Sequence, residues 1–401
     1  VTIMKKAFND ARPILDTIEQ HGYEAYFVGG AVRDFILERP INDVDITTSA
    51  MPDEIETIFE RTIPIGKEHG TINVLYDDDQ YEVTTYRTES DYVDHRRPDH
   101  VAFVRELKED LKRRDFTINA LAMDKDFQVV DYFEGKKDMR LRQIRAVGEP
   151  AERFTEDALR ILRGVRFQSQ LDFEIETHTF RGMAAQIHDI KYLSIERIVV
   201  ELKKLFHGVA VEKALKSMNH LGAFNDIPVF KSFDMKRLKL STPLSMDFVL
   251  AILKLQQGSV QLKPLKISNQ ELQTIQTYEK AIAQINAIQS KFDIDKLLFQ
   301  IDIQCIYSII SKTDILKEND VLHVSPFIFN KQVVETRYAQ LPITSFNDLA
   351  VNGHDLMTHL NQRGGPWIKA TLNQIVDAIL KRDIINDKDE ILKWVKQHVE
   401  V

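Results

Sequence analysis

A single cysteine, Cys305, is all the thiol these 401 residues carry. No intramolecular disulfide can form, and such sparse thiol usage suits a reducing, cytoplasmic setting. An apolar run long enough to span a bilayer is missing, as is the basic-then-apolar leader of a secreted precursor. Repeats and low-complexity tracts are missing too, which excludes solenoids and disordered arrays. Positive charge is in deficit, 53 Lys and Arg against 61 Asp and Glu, for a formal net charge of −8. That sum is unfavourable for a polyanion binder, but its distribution is uneven. Lys108, Lys112, Arg113 and Arg114, then Lys136, Lys137, Arg140, Arg142 and Arg145, make the middle of the chain basic. Such runs serve either as solvated faces or as a track for a nucleic-acid backbone.

What is present starts with an acidic pair. In Ile41-Asn42-Asp43-Val44-Asp45-Ile46-Thr47, strand alternation sends Asp43 and Asp45 to one face and Val44 and Ile46 to the other. Two carboxylates side by side repel unless a cation sits between them, and Mg2+ suits hard oxygen ligands while leaving positions for water and phosphate. Upstream, Tyr23 to Val28 reads as a buried strand and Ala31 to Glu38 as a helix, so Gly29-Gly30 forms the turn between them. Free backbone N–H groups at such a turn, the positive helix end and Arg33 in the first turn favour a triphosphate. Taken singly, a Gly-Gly is a tight turn and an Asp-x-Asp a solvated strand; together, at this spacing, they point to metal-dependent nucleotidyl transfer.

Two-metal chemistry calls for a third carboxylate. Glu82 is the candidate, on the second arm of a hairpin turning at Asp77-Asp78-Asp79, although its strand alternates and a solvent-facing role stays open. Arg113-Arg114-Asp115-Phe116-Thr117-Ile118-Asn119-Ala120 reads as a basic pair ahead of a capped amphipathic helix. Glu156 to Phe167 reads as one helix with Ala158, Ile161, Leu162 and Val165 on its apolar face. On the opposite side Asp157, Arg160, Arg163 and Arg166 step at three-residue spacing. Thr155 as its cap and an Asp157–Arg160 surface pair would account for part of that stripe, but such a pair contributes only ~0.5 kcal/mol. Tyr86 to Pro98 is polar, without strong period, and reads as an exposed loop. No Ser or His nucleophile is required.

Gly29-Gly30-Ala31-Val32-Arg33-Asp34, Asp43-Val44-Asp45, Arg113 to Ala120 and Glu156-Asp157-Ala158-Leu159-Arg160 together resemble the ordered motifs of class II CCA-adding enzymes, the tRNA nucleotidyltransferases. Ala350-Val351-Asn352-Gly353 and Gly365-Pro366-Trp367-Ile368-Lys369 resemble late segments of their short bacterial branch. The resemblance implies an α+β chain, a mixed polymerase-β-like head followed by an elongated helical arm. It implies addition and repair of the 3′-terminal CCA of tRNA from CTP and ATP, with pyrophosphate released. Asp43 and Asp45 would hold Mg2+, with Glu82 as the further carboxylate; Gly30 and Arg33 would touch the triphosphate. Arg114, Asp157, Arg160, Arg163 and Arg166 would surround the nucleotide, Asp157 and Arg160 reading its base. A carboxylate accepts from the amino group of C or A and Arg donates to the neighbouring ring nitrogen, whereas U and G present the reverse pattern. A flexible loop at Tyr86 to Pro98, here with Asp94 and Arg97, accompanies the switch from C to A in that family and is lacking in relatives restricted to CC. A homodimer stays open.

The expected organisation is a catalytic head over 1–137, a helical neck over 138–205, a helical body over 206–290 and a helical, tRNA-binding tail over 291–401. Val211 to Leu221, Leu244 to Leu255 and a segment opening at Ser268 with Glu271 as its box partner read as body helices. His354-Asp355 lacks the partner ligands of a phosphohydrolase site, so that activity is not expected. A poly(A) polymerase, sharing the early motifs, and an inactive RNA-binding module are the alternatives.

Overall fold

A computed structural model describes residues 2–92 and 98–400. The chain divides into two compact units, one of Val1–Met235 with Leu240–Ser245 and Lys263–Lys266, the other of Lys236–Lys239, Met246–Leu262 and Ile267–Val401.

The first unit opens on α1 (Thr2–Gln20), whose Phe8, Ala11, Ile14, Leu15 and Ile18 are all fully buried. That three-and-four spacing is the apolar stripe of a helix laid on a sheet. Phe8 meets Phe27 edge to face at 5.0 Å, on β1 (Ala25–Val28), which feeds α2 (Gly30–Ile36). Then come β2 (Asp45–Thr48), α3 (Pro52–Ile58), β3 (Thr62–Ile63), β4 (Thr71–Tyr76) and β5 (Asp79–Thr85). Next are β6 (Arg87–Tyr92), β7 (Pro98–Phe103), α4 (Leu107–Lys112), β8 (Ala122–Met123) and β9 (Val129–Val130). Seven of these strands form one mixed sheet in the order β3-β4-β5-β2-β1-β8-β9. Only β2 and β5 run parallel within it, with Ile46 opposite Val83. The β4–β5 turn is the expected hairpin: Asp77 and Asp78 both take positive φ, 48° and 66°, as a two-residue turn matched to strand twist requires.

Three local expectations fail here. The segment from Tyr86 to Pro98 is not simply a loop: β6 and β7 pair antiparallel as a separate ribbon, Arg87 opposite Phe103. Its root is tied by the Arg87 N–H to the Asp110 carboxylate at 3.1 Å and by Val104 N–H to Tyr86 C=O at 2.9 Å. Asp94 and Arg97 lie outside the described residues. No amphipathic helix begins at Arg113; α4 has just ended, and only a short 3-10 turn at Thr117–Asn119 follows. There the Asp115 side chain accepts the Phe116 N–H at 2.7 Å and Asn119 Nδ2 at 3.1 Å, a local bonding pattern that competes with helix. Finally, the strand expected over Ile41–Thr47 begins only at Asp45, and Asp43 precedes it.

Helices then dominate: α5 (Gly135–Arg140), α6 (Pro150–Glu156), α7 (Leu159–Leu171), α8 (Thr177–Gln186), α9 (Ile195–Phe206) and α10 (Val211–Leu221). A small parallel pair, β10 (Gln143–Ile144) and β11 (Glu174–Ile175), interrupts them. The single helix expected from Glu156 is two, broken at Asp157, whose extended backbone (φ −148°, ψ 107°) separates α6 from α7. Thr155 is not the residue that opens α7, which follows Ala158; it lies inside α6 and its hydroxyl donates back to Ala151 C=O at 2.7 Å.

The second unit is helical: α11 (Met246–Gln257), α12 (Asn269–Asn286), α13 (Lys291–Gln300), α14 (Ile303–Ser311), α15 (Thr313–Glu318), α16 (Lys331–Ala339), α17 (Gly353–Leu360), α18 (Pro366–Leu380) and α19 (Lys388–His398). Ser268 Oγ accepts the Glu271 N–H at 3.1 Å, the cap expected for α12. Leu356, Ile375, Ile379, Ile391 and Val395 gather α17, α18 and α19 around one core. Among the described residues no helix is long and apolar enough to cross a membrane.

Candidate active site

A cleft of about 950 Å3 in the first unit collects the residues that sequence reasoning singled out. Gly30, Arg33, Asp45, Glu82, Arg114, Asp157, Arg160, Arg163 and Arg166 all line it. Asp43 does not; it stays exposed in the segment before β2.

The carboxylates meet through sheet register. Ile46 pairs with Val83 in the parallel ladder, so Asp45 and Glu82 stand one rung earlier, neighbours on the same face. Asp45 keeps contact with solvent, yet protein surrounds it on the cleft side. Desolvation, then the charges of Glu82 and, more weakly, Asp43, push its pKa up to about 6 against the opposing pull of Arg114. A cation among these carboxylates would favour their ionised forms. Among the described residues no three His, Cys, Asp or Glu side chains form a ready-made cage. Mg2+ does not need one, since it binds through one or two carboxylates, waters and substrate phosphates; the residues fit that ion.

On the other wall three guanidinium groups crowd one ring. Arg33, Arg163 and Arg166 lie 5.1, 5.2 and 4.4 Å from the Phe167 centroid. Arg33 donates to Asn119 Oδ1 at 2.7 Å, Arg163 to Asp115 Oδ2 at 2.7 Å, and Arg166 forms an ion pair with Glu201 at 2.5 Å. The stripe is therefore no solvated face: Arg160 and Arg166 are buried. Asp115 is the anchor. Burial alone would raise its pKa, but Arg163, Asn119 and Arg160 outweigh that and hold it at about 2. Asp110 plays the same part below Arg113 and Arg114, accepting from both at 3.4 Å. Burial would raise its pKa, yet these cations and the Arg87 N–H hold it below the usual carboxylate value.

The glycine turn differs from expectation in one respect. Gly29 adopts φ 77°, which needs glycine, and a Cβ there would meet Arg114 Nη1 at 3.4 Å. Its N–H is already given to Leu121 C=O at 3.2 Å, so it does not stand free for a phosphate.

Where α6 and α7 break, Asp157 accepts the Leu159 N–H on Oδ1 at 3.0 Å and Arg197 Nη2 on Oδ2 at 3.0 Å. It does not pair with Arg160. That arginine reaches Glu156 Oε2 at 2.6 Å, Arg153 C=O at 3.2 Å and Arg113 C=O at 3.1 Å. A further carboxylate, Glu89 on β6, stands 3.8 Å from Arg160 and 3.3 Å from Arg113. Sequence reasoning missed Glu89, Asp110, Asp115, Arg197 and Glu201. The one available signal was Arg197, Glu201 and Lys204 recurring at helical spacing along α9. The basic run of the middle chain is partly neutralised: Arg113 pairs with Asp110 and Glu89, Arg142 with Asp172, Arg145 with Asp138 and Glu176.

Residues 25–145 match the family described as Poly A polymerase head domain, 172–233 that described as probable RNA and SrmB-binding site of polymerase A, and 246–395 that described as putative tRNA nucleotidyltransferase domain 2. A CCA-adding enzyme of Staphylococcus epidermidis is 50% identical over 98% of this chain and 99% of its own length. One from Staphylococcus haemolyticus is 51% identical over 98% and 99%. Among solved structures, the CCA-adding enzyme of Bacillus stearothermophilus in complex with CTP aligns with a TM-score of 0.83 at 34% identity, over 98% of this chain and 97% of that one.

Proposed function

Because this chain belongs to the CCA-adding enzymes, we propose that its cleft adds and repairs the 3′-terminal CCA of tRNA, taking CTP and ATP in turn and releasing pyrophosphate. The observation that carries this reading is one cleft holding a carboxylate pair, Asp45 and Glu82, and an arginine wall that ends on Asp157 and Arg160.

Asp45 and Glu82, with Asp43 beside them, would hold Mg2+, which when bound neutralises triphosphate charge and activates the attacking 3′-hydroxyl. Arg33, Arg163 and Arg166, gathered on Phe167, would receive the triphosphate together with Arg114 beside the Gly29-Gly30 turn. Asp157 uses one acceptor site for Leu159 and one for Arg197, and a carboxylate has about four. It can therefore accept the amino group of cytosine or adenine without giving up its anchors. Arg160, fixed by backbone carbonyls and Glu156, supplies the donor edge. Uracil or guanine would set a carbonyl against the carboxylate and leave buried polar groups unpaired, a mismatch able to cost ~10⁴-fold. No protein nucleophile takes part; catalysis rests on positioning and electrostatics. A cytoplasmic location fits tRNA as the substrate. Head over 1–137, neck over 138–205, body over 206–290 and tail over 291–401 remain the working division.

Purified protein with Mg2+ and tRNA transcripts ending before CCA, at C and at CC is expected to add two C from CTP and one A after CC, then halt. Unlimited A addition on any RNA would make it a poly(A) polymerase, and no extension an inactive binding module.

A further inference from the structure

Helix α7 brings Arg163, Arg166 and Phe167 to the cleft, and α2 adds Arg33. The three guanidinium groups lie 5.1 Å (Arg33), 5.2 Å (Arg163) and 4.4 Å (Arg166) from the centroid of one ring, that of Phe167. Like charges drawn together in this way repel, so each must be held where it is. Polar partners account for part of that. Arg33 meets Asp34 at 3.1 Å and Asn119 at 2.7 Å, Arg163 meets Asp115 at 2.7 Å, and Arg166 meets Glu201 at 2.5 Å. Each arginine thus has its own anchor in these bonds, and what all three share is the ring. That ring is itself fixed: Phe167 is 3% exposed, and the fully buried Phe116 meets it edge to face at 6.0 Å. An aromatic face is electron-rich and attracts a guanidinium within about 6 Å, most strongly where water is excluded.

We propose that Phe167 is the positioning residue of the triphosphate site: its ring holds Arg33, Arg163 and Arg166 as one preassembled triad, which grips CTP and ATP by their phosphates alike, whatever the base. The triphosphate's place in the cleft rests on the function proposed above. Surrounded by guanidinium groups, the ring acts through the arginines rather than on the nucleotide. Without it each arginine keeps its own anchor and loses the common one, so the triad has to be ordered as the triphosphate arrives, at the expense of affinity. Contacts made to the triphosphate before and during reaction alike set KM and leave kcat in place. Base choice is untouched, because Asp157 and Arg160 lie outside the triad.

The test replaces Phe167 in the full chain, through a reassigned stop codon, by mono-, di- and trifluorinated phenylalanine. These keep the shape of the ring while withdrawing electron density from its face, and Phe167→Leu removes the ring altogether. Calorimetric titration with CTP and with ATP, Mg2+ present and tRNA absent, gives Kd. Extension of tRNA transcripts gives KM and kcat, and thermal melting reports folding. Kd and KM for both nucleotides are expected to climb with each fluorine, about two- to fivefold at the third and about tenfold in Phe167→Leu. The kcat, the preference for CTP over UTP and the melting temperature of the fluorinated proteins should stay as in the wild type. Fluorinated proteins that bind as the wild type does, that lose only one of the two nucleotides, or that weaken only in step with their melting temperature would overturn the proposal, whether or not Phe167→Leu folds. A wild type that binds CTP and ATP but adds nothing to tRNA sinks the function proposed above alone, since the fluorine series in Kd still decides Phe167; a wild type that binds neither overturns both.

Discussion

At the scale of single residues, buried Asp110 and Asp115 hold the arginines of the cleft in place, while Asp115 and the more exposed Asp45 set two pH dependences of opposite sign. Asp45 has its pKa raised to about 6 by burial and by Glu82. Its native form therefore favours the proton, and stability is lost as pH rises through 6 unless a cation replaces that proton. Thermal stabilisation by Mg2+ should accordingly be greater at pH 7.5 than at pH 5.5, and Asp45→Asn should remove the difference; equal shifts at both pH values in the wild type would sink the cation assignment. Asp115 lies at about 2, held down by Arg163 against the effect of burial. Its contribution is present above the unfolded value near 4 and is lost as pH falls through 2. Asp115→Asn is expected to cost about 2–3 kcal/mol in urea unfolding at pH 7 and almost nothing at pH 2. For base choice, Asp157→Ala should raise UTP and GTP incorporation relative to CTP and ATP far more than it changes tRNA Kd. Unchanged selectivity would remove the base-reading role.

At the scale of elements, the break between α6 and α7 is the decisive feature. A continuous helix would have laid Asp157 and Arg160 side by side as a surface pair. The extended backbone at Asp157 instead gives its carboxylate to Arg197 and leaves Arg160 to Glu156. Helix α7 also packs tightly beneath its arginine face: a Cβ on Gly164 would come within 2.5 Å of Met183 Cε and 2.8 Å of Phe116 Cζ. Gly164→Ala should cost about 1–3 kcal/mol in stability, because the helix must shift to admit the methyl. A neutral substitution in denaturant melts would show that the ring and thioether yield freely. Strand and helix types were largely legible beforehand at β1, α2, α10 and the Asp77-Asp78 hairpin, since turn chemistry and periodicity are local. Arg113 to Ala120 and the β6–β7 ribbon were not: Asp115 accepts locally from Phe116 and Asn119 but is fixed in that turn by Arg163 of α7, and the ribbon's root is tied by the Arg87 N–H to Asp110 of α4, bonds that no short window of sequence contains.

At the scale of the whole molecule, two compact units each enclose their own core, and a net charge of −8 coexists with a concentrated arginine cleft. Local field rather than total charge governs an encounter with RNA. The tRNA Kd should rise steeply between 50 and 200 mM salt through counterion release; a flat curve would contradict an electrostatic grip.

The amino-acid sequence by itself determined the order of motifs, the alternation that keeps Val44 and Ile46 inward and Asp45 outward, and the amphipathic helices of the second half. Each of these depends on neighbours within a turn or a strand. Only the tertiary structure decided that Glu82 stands beside Asp45, that Arg197 rather than Arg160 holds Asp157, and that Arg113, Arg142 and Arg145 are already paired. Those facts rest on contacts between distant parts of the chain, and packing alone selects which of many acidic and basic side chains meet.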